Sequence, residues 1–253
     1  MPLEIVTVPC LSDNYAFLIH DNASGATALV DAPEAAPIEA ELSNRRWRLT
    51  HILITHHHGD HVAGVKTLRP GATVIGNAAD ASRLPPLDRP VSDGEVFDFA
   101  GHDVHVMDVS GHTIGHLAFH IPDATAIFTA DSLMALGCGR LFEGTAGQMW
   151  ESLSKIAALG DETIVCSGHE YTASNARFAL TIEPDNPALQ ARAEATNAAV
   201  ETGRPTVPST LAEEKATNPF LRAGLSEVKA AIGMDGRADA EVFAEIRRRK
   251  DAF

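Results

Sequence analysis

Short apolar runs and turn-forming clusters alternate from the start of the chain. The runs at 3–8, 15–20 and 27–30 are rich in branched or aromatic residues and bounded by Pro, Asp, Asn and Gly, which predicts strands. The pattern continues at 51–55, 73–75, 96–99, 104–109, 117–121 and 126–128. Helical spacing intervenes at 35–42, at 62–68 before Pro70-Gly71, and at 148–159. In the last of these Met149, Leu153 and Ile156 share a face, and Gly160 ends the helix. Strands with interspersed helices but no strict alternation predict an α/β fold of sheet layers covered by helices.

After Ile164-Val165-Cys166 the periodicity becomes helical. Asn186-Pro187 reads as an N-cap followed by Pro at the first helical position, ahead of Leu189, Ala193, Thr196 and Val200. Thr210 with Glu213 fits a capping box, and Asn218-Pro219 ends that short helix. Residues 238–250 form a terminal helix burying Val242, Phe243 and Ile246. A boundary near residue 170 is expected, giving a domain over 1–170 and a helical appendage over 171–253.

Composition narrows the partners. A formal net charge of -14 argues against nucleic acid or an anionic membrane as the main partner. Three cysteines without a CxxC pair favour a reducing compartment over a disulfide framework. The N-terminus lacks the features of a signal peptide, and no apolar run is long enough to span a bilayer. The expectation is a soluble cytoplasmic protein, by default a monomer.

Chemistry concentrates in Ile52-Leu53-Ile54-Thr55-His56-His57-His58-Gly59-Asp60-His61. A buried strand ending at Thr55 leaves His56 and His58 pointing the same way, with His57 aimed elsewhere. Gly59 permits a turn, and Asp60 and His61 then start the helix at 62–68. The spacing offers two adjacent ligand pairs, unlike a helical HExxH motif. Further ligands are available where apolar strands end: His112 in Ser110-Gly111-His112-Thr113, Asp131 in Thr129-Ala130-Asp131, and His169 in Ser167-Gly168-His169.

THHHGDH, SGHT, TADS and SGHE together resemble the metallo-β-lactamase superfamily, whose fold is an αββα sandwich. CGRLFEGT at 138–145, GHEYT at 168–172, NPFLR at 218–222 and the terminal RRRKD are similar to the hydroxyacylglutathione hydrolase (glyoxalase II) family, over essentially the whole chain. The resemblance implies a C-terminal α-helical domain and two divalent ions, most simply zinc, with iron or manganese also suited to these donors. His56, His58 and His112 would hold one ion, Asp60, His61 and His169 the other, and Asp131 would bridge both. Two divalent cations against Asp60 and Asp131 leave a net charge of about +2 beside a developing oxyanion.

The implied reaction is hydrolysis of S-D-lactoylglutathione and related 2-hydroxyacyl thioesters to glutathione and the 2-hydroxy acid. Water whose pKa falls to about 7 at the metals supplies a bridging hydroxide, and Asp60 and Asp131 are the catalytic carboxylates. The thiolate leaves with little protonation, so no dedicated general acid is needed. Arg247 and Lys250 lie three apart on one face of the terminal helix, beside the buried stripe. The family's glutathione-binding basic pair falls on them, with Arg140, Phe142 and Tyr171 completing the substrate site. Many members have Lys-x-Tyr where this chain has Arg140-Leu141-Phe142. Arg140 keeps the charge, whereas Phe142 lacks the phenolic hydroxyl. Cys138 reads as a small packed residue, His116 as structural, Arg248 and Arg249 as solvated. His20, His51, His102, His105 and His120 are read as having no chemical role.

Three rivals differ in sign or composition. A superfamily phosphodiesterase or ribonuclease needs a broadly basic surface. A glutathione persulfide dioxygenase uses one iron and resembles the core without this appendage. A metal-binding scaffold with a decayed site would lack some of the seven ligands.

Overall fold

In the computed structural model, residues 3–253 are described, and they fall into two compact units. One comprises residues 3–108 and 115–130; the other comprises 109–114 and 131–253.

The first unit opens with β1 (Glu4–Cys10), β2 (Asn14–His20) and β3 (Ala26–Val30), which pair antiparallel in sequence. After α1 (Ala35–Arg45), β4 (Arg48–Leu53) joins β3 in parallel. Two short helices, α2 (Gly59–Val62) and α3 (Val65–Leu68), lead to β5 (Thr73–Asn77) and β6 (Arg89–Val91), again parallel. A second sheet follows as an antiparallel meander of β7 (Val96–Phe99), β8 (His102–Asp108), β9 (Leu117–Ile121) and β10 (Ala126–Ala130).

Alternation along β2 explains the layering. Ala16 and Leu18 join Leu29, Ile52 and Val74 against Ile38 and Leu42 of α1 and Val65 and Leu68 of α3. Phe17 points the other way and meets the Phe128 ring of β10 at 5.6 Å between centroids. His51 of β4 likewise meets Phe99 of β7 at 5.3 Å. Helices, sheet and second sheet are thus stacked, and every residue of β2 is buried because both its faces are covered.

The expected helix at 62–68 is broken into α2 and α3. Gly64 lies at the break, where a Cβ would stand 3.0 Å from Ala35 N, so close passage of the chain decides the geometry there. The chain turns at Gly59 as expected, passing from extended His58 into α2, but the turn does not require glycine. The φ of Gly59 is ordinary and a Cβ would meet nothing within 4 Å.

The second unit begins with the hairpin β11 (Leu133–Met134) and β12 (Gly137–Cys138), then α4 (Ala146–Ala157) and β13 (Ile164–Ser167). Thr145 and Gln148 form a capping box that starts α4. Next come α5 (Thr172–Ile182), α6 (Pro187–Glu201), β14 (Ser209–Thr210), α7 (Leu211–Thr217), α8 (Ser226–Ala231) and α9 (Asp239–Ala252). β14 pairs antiparallel with β13. Asn186 caps α6 through Ala188 N and Leu189 N, and the Thr210–Glu213 capping box opens α7. α5 and α8 carry no cap signature that sequence periodicity could exploit.

Candidate active site

β3 and β4 run parallel, so their carboxyl ends reach the same edge of the sheet. There Asp31 adopts a left-handed backbone (φ 57°), an uncommon state for a residue with a Cβ. Its carboxylate accepts from Thr55 N at 2.9 Å, Thr55 Oγ1 at 2.8 Å and His61 Nδ1 at 2.7 Å. Because Thr55 Oγ1 gives its hydrogen to Asp31, it accepts from His56 Nδ1 at 3.0 Å. One buried carboxylate therefore fixes two imidazoles as Nδ1–H tautomers, so each Nε2 carries a lone pair.

His56 Nε2 lies 3.1 Å from His58 Nδ1, while His57 turns to Asp80, with Nδ1 3.3 Å from Oδ2. His116, expected to be structural, stacks on His56 with centroids 4.5 Å apart and its Nδ1 on the Leu117 carbonyl. Asn14 Nδ2 donates to the Asp60 carboxylate and carbonyl, both at 3.1 Å, and Asp60 Oδ2 stands 3.7 Å from His61 Nε2. No sequence motif points to Asp31 or Asn14. The signal for Asp31 is a carboxylate directly after an apolar strand in Leu29-Val30-Asp31.

The second unit carries a matching group. Asp131 Oδ2 lies between two imidazoles, 3.4 Å from His112 Nε2 and 3.3 Å from His169 Nε2. His112 Nδ1 donates to the Arg140 carbonyl at 2.8 Å, which again leaves Nε2 as a lone-pair donor. The loops are clasped by Phe142 N to His112 O and Gly144 N to Gly111 O, both 3.1 Å. Gly139 permits the closest approach: a Cβ there would sit 2.0 Å from Asp131 O and 2.9 Å from His112 Nδ1. The exposed Phe142 ring meets His112 edge-on at 5.3 Å, and Tyr171 stacks on His169 at 4.7 Å and 7°. Donor chemistry fits divalent cations in both units: imidazole nitrogens with set tautomers, and carboxylates beside them.

A cationic cluster forms from β12, its following residues and α9. Arg247 is 6% exposed; its Nη1 donates to Cys138 O at 3.0 Å, its Nη2 to Asp251 at 2.8 Å, and it lies over the Phe220 ring. Arg140 reaches the same Asp251 oxygen at 3.4 Å. Lys250 lies over the rings of Phe178 and Phe253. Burial, with the charges of Arg247 and Arg177, pushes its ammonium down to about 8. Arg248 pairs in solvent with Glu245, whereas Arg249 also donates to the Ile232 carbonyl. Cys138 is buried and its thiol is pushed up to about 11, as suits a packed residue rather than a nucleophile.

Comparison with known proteins agrees with this chemistry. Residues 12–169 match the metallo-beta-lactamase superfamily, and residues 170–253 match the hydroxyacylglutathione hydrolase C-terminus. A hydroxyacylglutathione hydrolase from Ruegeria pomeroyi is 65% identical, with 100% of each chain covered. Another, from Roseobacter denitrificans, is 64% identical over the same full span. The crystal structure of ETHE1 from Myxococcus xanthus matches with a TM-score of 0.67 at 25% identity, covering 98% of this chain and 90% of that one. Coverage of the helical region is thus shared with ETHE1, and the much higher identity to the hydrolases is what separates them. With its metallo-β-lactamase fold and helical C-terminal region, the chain belongs to the hydroxyacylglutathione hydrolase family of the metallo-β-lactamase superfamily.

Proposed function

We propose that the chain hydrolyses S-(2-hydroxyacyl)glutathione, chiefly S-D-lactoylglutathione, to glutathione and the 2-hydroxy acid. The observation that carries this reading is the Asp131 carboxylate between His112 and His169, in a chain 65% identical to a hydroxyacylglutathione hydrolase over its full length. In our reading His56, His58 and His112 would hold one divalent ion and Asp60, His61 and His169 a second, with Asp131 available to both. Zinc is the expected metal, and iron or manganese suits the same donors. When bound, such ions bring the pKa of water to about 7 and stabilise negative charge on oxygen.

The residues of the chain do the rest. Asp31 orients His56 and His61, and the Arg140 carbonyl orients His112. Arg140, Arg247 and Lys250 bind the glutathione carboxylates, displacing part of the internal pairing with Asp251. Tyr171 and Phe142 flank the thioester with their rings. The glutathione thiolate departs without a protein acid, because its conjugate acid has a pKa near that of cysteine, about 8.5.

We place the division between the hydrolytic domain and the glutathione-binding domain near residue 170. We infer a cytoplasmic protein, by default a monomer, and the -14 charge disfavours nucleic acid or an anionic membrane as its main partner. No helix among the described residues is long and apolar enough to cross a membrane.

The assay follows loss of thioester absorbance with S-D-lactoylglutathione, beside oxygen uptake with glutathione persulfide and hydrolysis of a phosphodiester. Thioester turnover without oxygen uptake is expected. Oxygen consumption by a protein holding one iron would replace this reading with a dioxygenase.

A further inference from the structure

The β11–β12 hairpin turns through Ala135 and Leu136, with Leu136 in the left-handed region at φ 56°. Its polar groups are held by side chains distant in sequence. Asn218 Nδ2 lies 3.1 Å from Met134 O and 2.9 Å from Gly137 O, and Asn175 Nδ2 donates to Ala135 O at 3.0 Å. Leu136 N donates to Glu214 Oε2 at 2.9 Å.

Glu214 and Asn218 are fully buried and joined, with Asn218 Nδ2 3.0 Å from Glu214 Oε2. The other Glu214 oxygen accepts from Ser209 Oγ at 2.6 Å and from the Arg192 guanidinium. Burying a carboxylate is costly even when paired, and apolar residues can fill the same volume without that cost. The placement of the turn explains the expense. β12 leaves it carrying Cys138, whose carbonyl receives Arg247, and Arg140 follows two residues later.

We propose that Glu214 and Asn218 are positioning residues for the substrate-binding cluster. They fix the β11–β12 turn, and through β12 they set where Arg140 and Arg247 present their guanidinium groups to the carboxylates of glutathione. The inference rests on those two arginines binding substrate. Neither Glu214 nor Asn218 touches substrate, so their loss moves binding more than turnover.

The test compares Asn218→Ala, Arg140→Ala and the double variant in the metal-loaded enzyme, with Val228→Ala as a destabilised control. Asn218→Ala is expected to raise KM about tenfold, with kcat within about threefold. Arg140→Ala is expected to raise KM similarly, and the double variant by much less than the product of the two. Val228→Ala should lower Tm with KM unchanged. If Asn218→Ala lowers Tm but leaves KM at the wild-type value while Arg140→Ala raises it, the inference fails and the substrate reading stands. If Arg140→Ala itself leaves KM unchanged, the substrate reading fails first. Should Asn218→Ala not fold, Asn175→Ala, which removes one bond to the same turn, carries the test. A KM rise of about threefold is then expected, and an unchanged KM overturns the proposal.

Discussion

The imidazole–carboxylate groups and the cationic cluster are built on opposite principles. Around Asp31, Thr55, His56 and His61, each polar hydrogen has one destination, and the four side chains are almost wholly buried. Around Asp251, Arg140 is exposed, Lys250 is half-buried, and an internal carboxylate stands where a substrate carboxylate can compete. The first arrangement suits chemistry, in which small displacements are expensive. The second suits binding and release, since Asp251 keeps two guanidinium groups in register without satisfying all their donors. Damage to the first should therefore appear in kcat and metal retention, and damage to the second in KM.

The largest effect is expected from Gly139→Ala. Its Cβ would overlap the Asp131 carbonyl and crowd His112 Nδ1, so both must move. Turnover should fall at least about a hundredfold, measured as kcat on S-D-lactoylglutathione. A variant of near-normal kcat would show that the loop yields freely and that the geometry at His112 is not critical.

Asp31→Asn comes next. An amide can offer a hydrogen where Thr55 and His61 now donate, so the tautomers of His56 and His61 lose their common anchor. Metal affinity, measured by chelator competition, should weaken about tenfold to a hundredfold. Loss of stability without loss of metal affinity would break the link between this carboxylate and the imidazoles.

Arg247→Ala combined with Lys250→Ala should raise KM about tenfold or more while kcat stays within about threefold. An equal fall in kcat would merge the two regions and undo the contrast drawn between them.

The smallest effect is a pH dependence. Lys250 is held at about 8, below its ordinary 10.5, because burial and nearby arginines disfavour the charged form. The ammonium is therefore present below about pH 8 and lost as pH rises through it. A bound carboxylate favours the charged form, so KM should rise severalfold between about pH 7.5 and 9. In Lys250→Arg the charge persists, and that part of the rise should vanish. Identical profiles for the two proteins would remove Lys250 from carboxylate binding.

Legibility in the sequence followed locality. The caps at Asn186 and at Thr210 with Glu213 act within three residues, and the sequence signs for them coincide with the observed helix starts. The approach of His56 to His58, with His57 turned to Asp80, agrees with the alternation expected of extended backbone, although β4 itself ends at Leu53 and Thr55 and Asp31 fix the His56 ring. The break between α2 and α3 did not follow, because it depends on Gly64 passing Ala35, a distant segment. Asp31 was illegible for a similar reason. A single aspartate after an apolar strand has no motif of its own, and its partners Thr55 and His61 are brought to it by parallel pairing of β3 and β4. Glu214 and Asn218 serve a hairpin about eighty residues earlier in the chain, a distance over which no spacing rule operates.

The most direct test of the dinuclear reading is a metal titration of the chelator-stripped chain, followed by calorimetry and checked by elemental analysis. Two divalent ions per chain should bind, and His112→Ala and His169→Ala should each weaken a different one. A single equivalent, or two that neither substitution perturbs, would contradict the gathering of these seven side chains around a pair of cations.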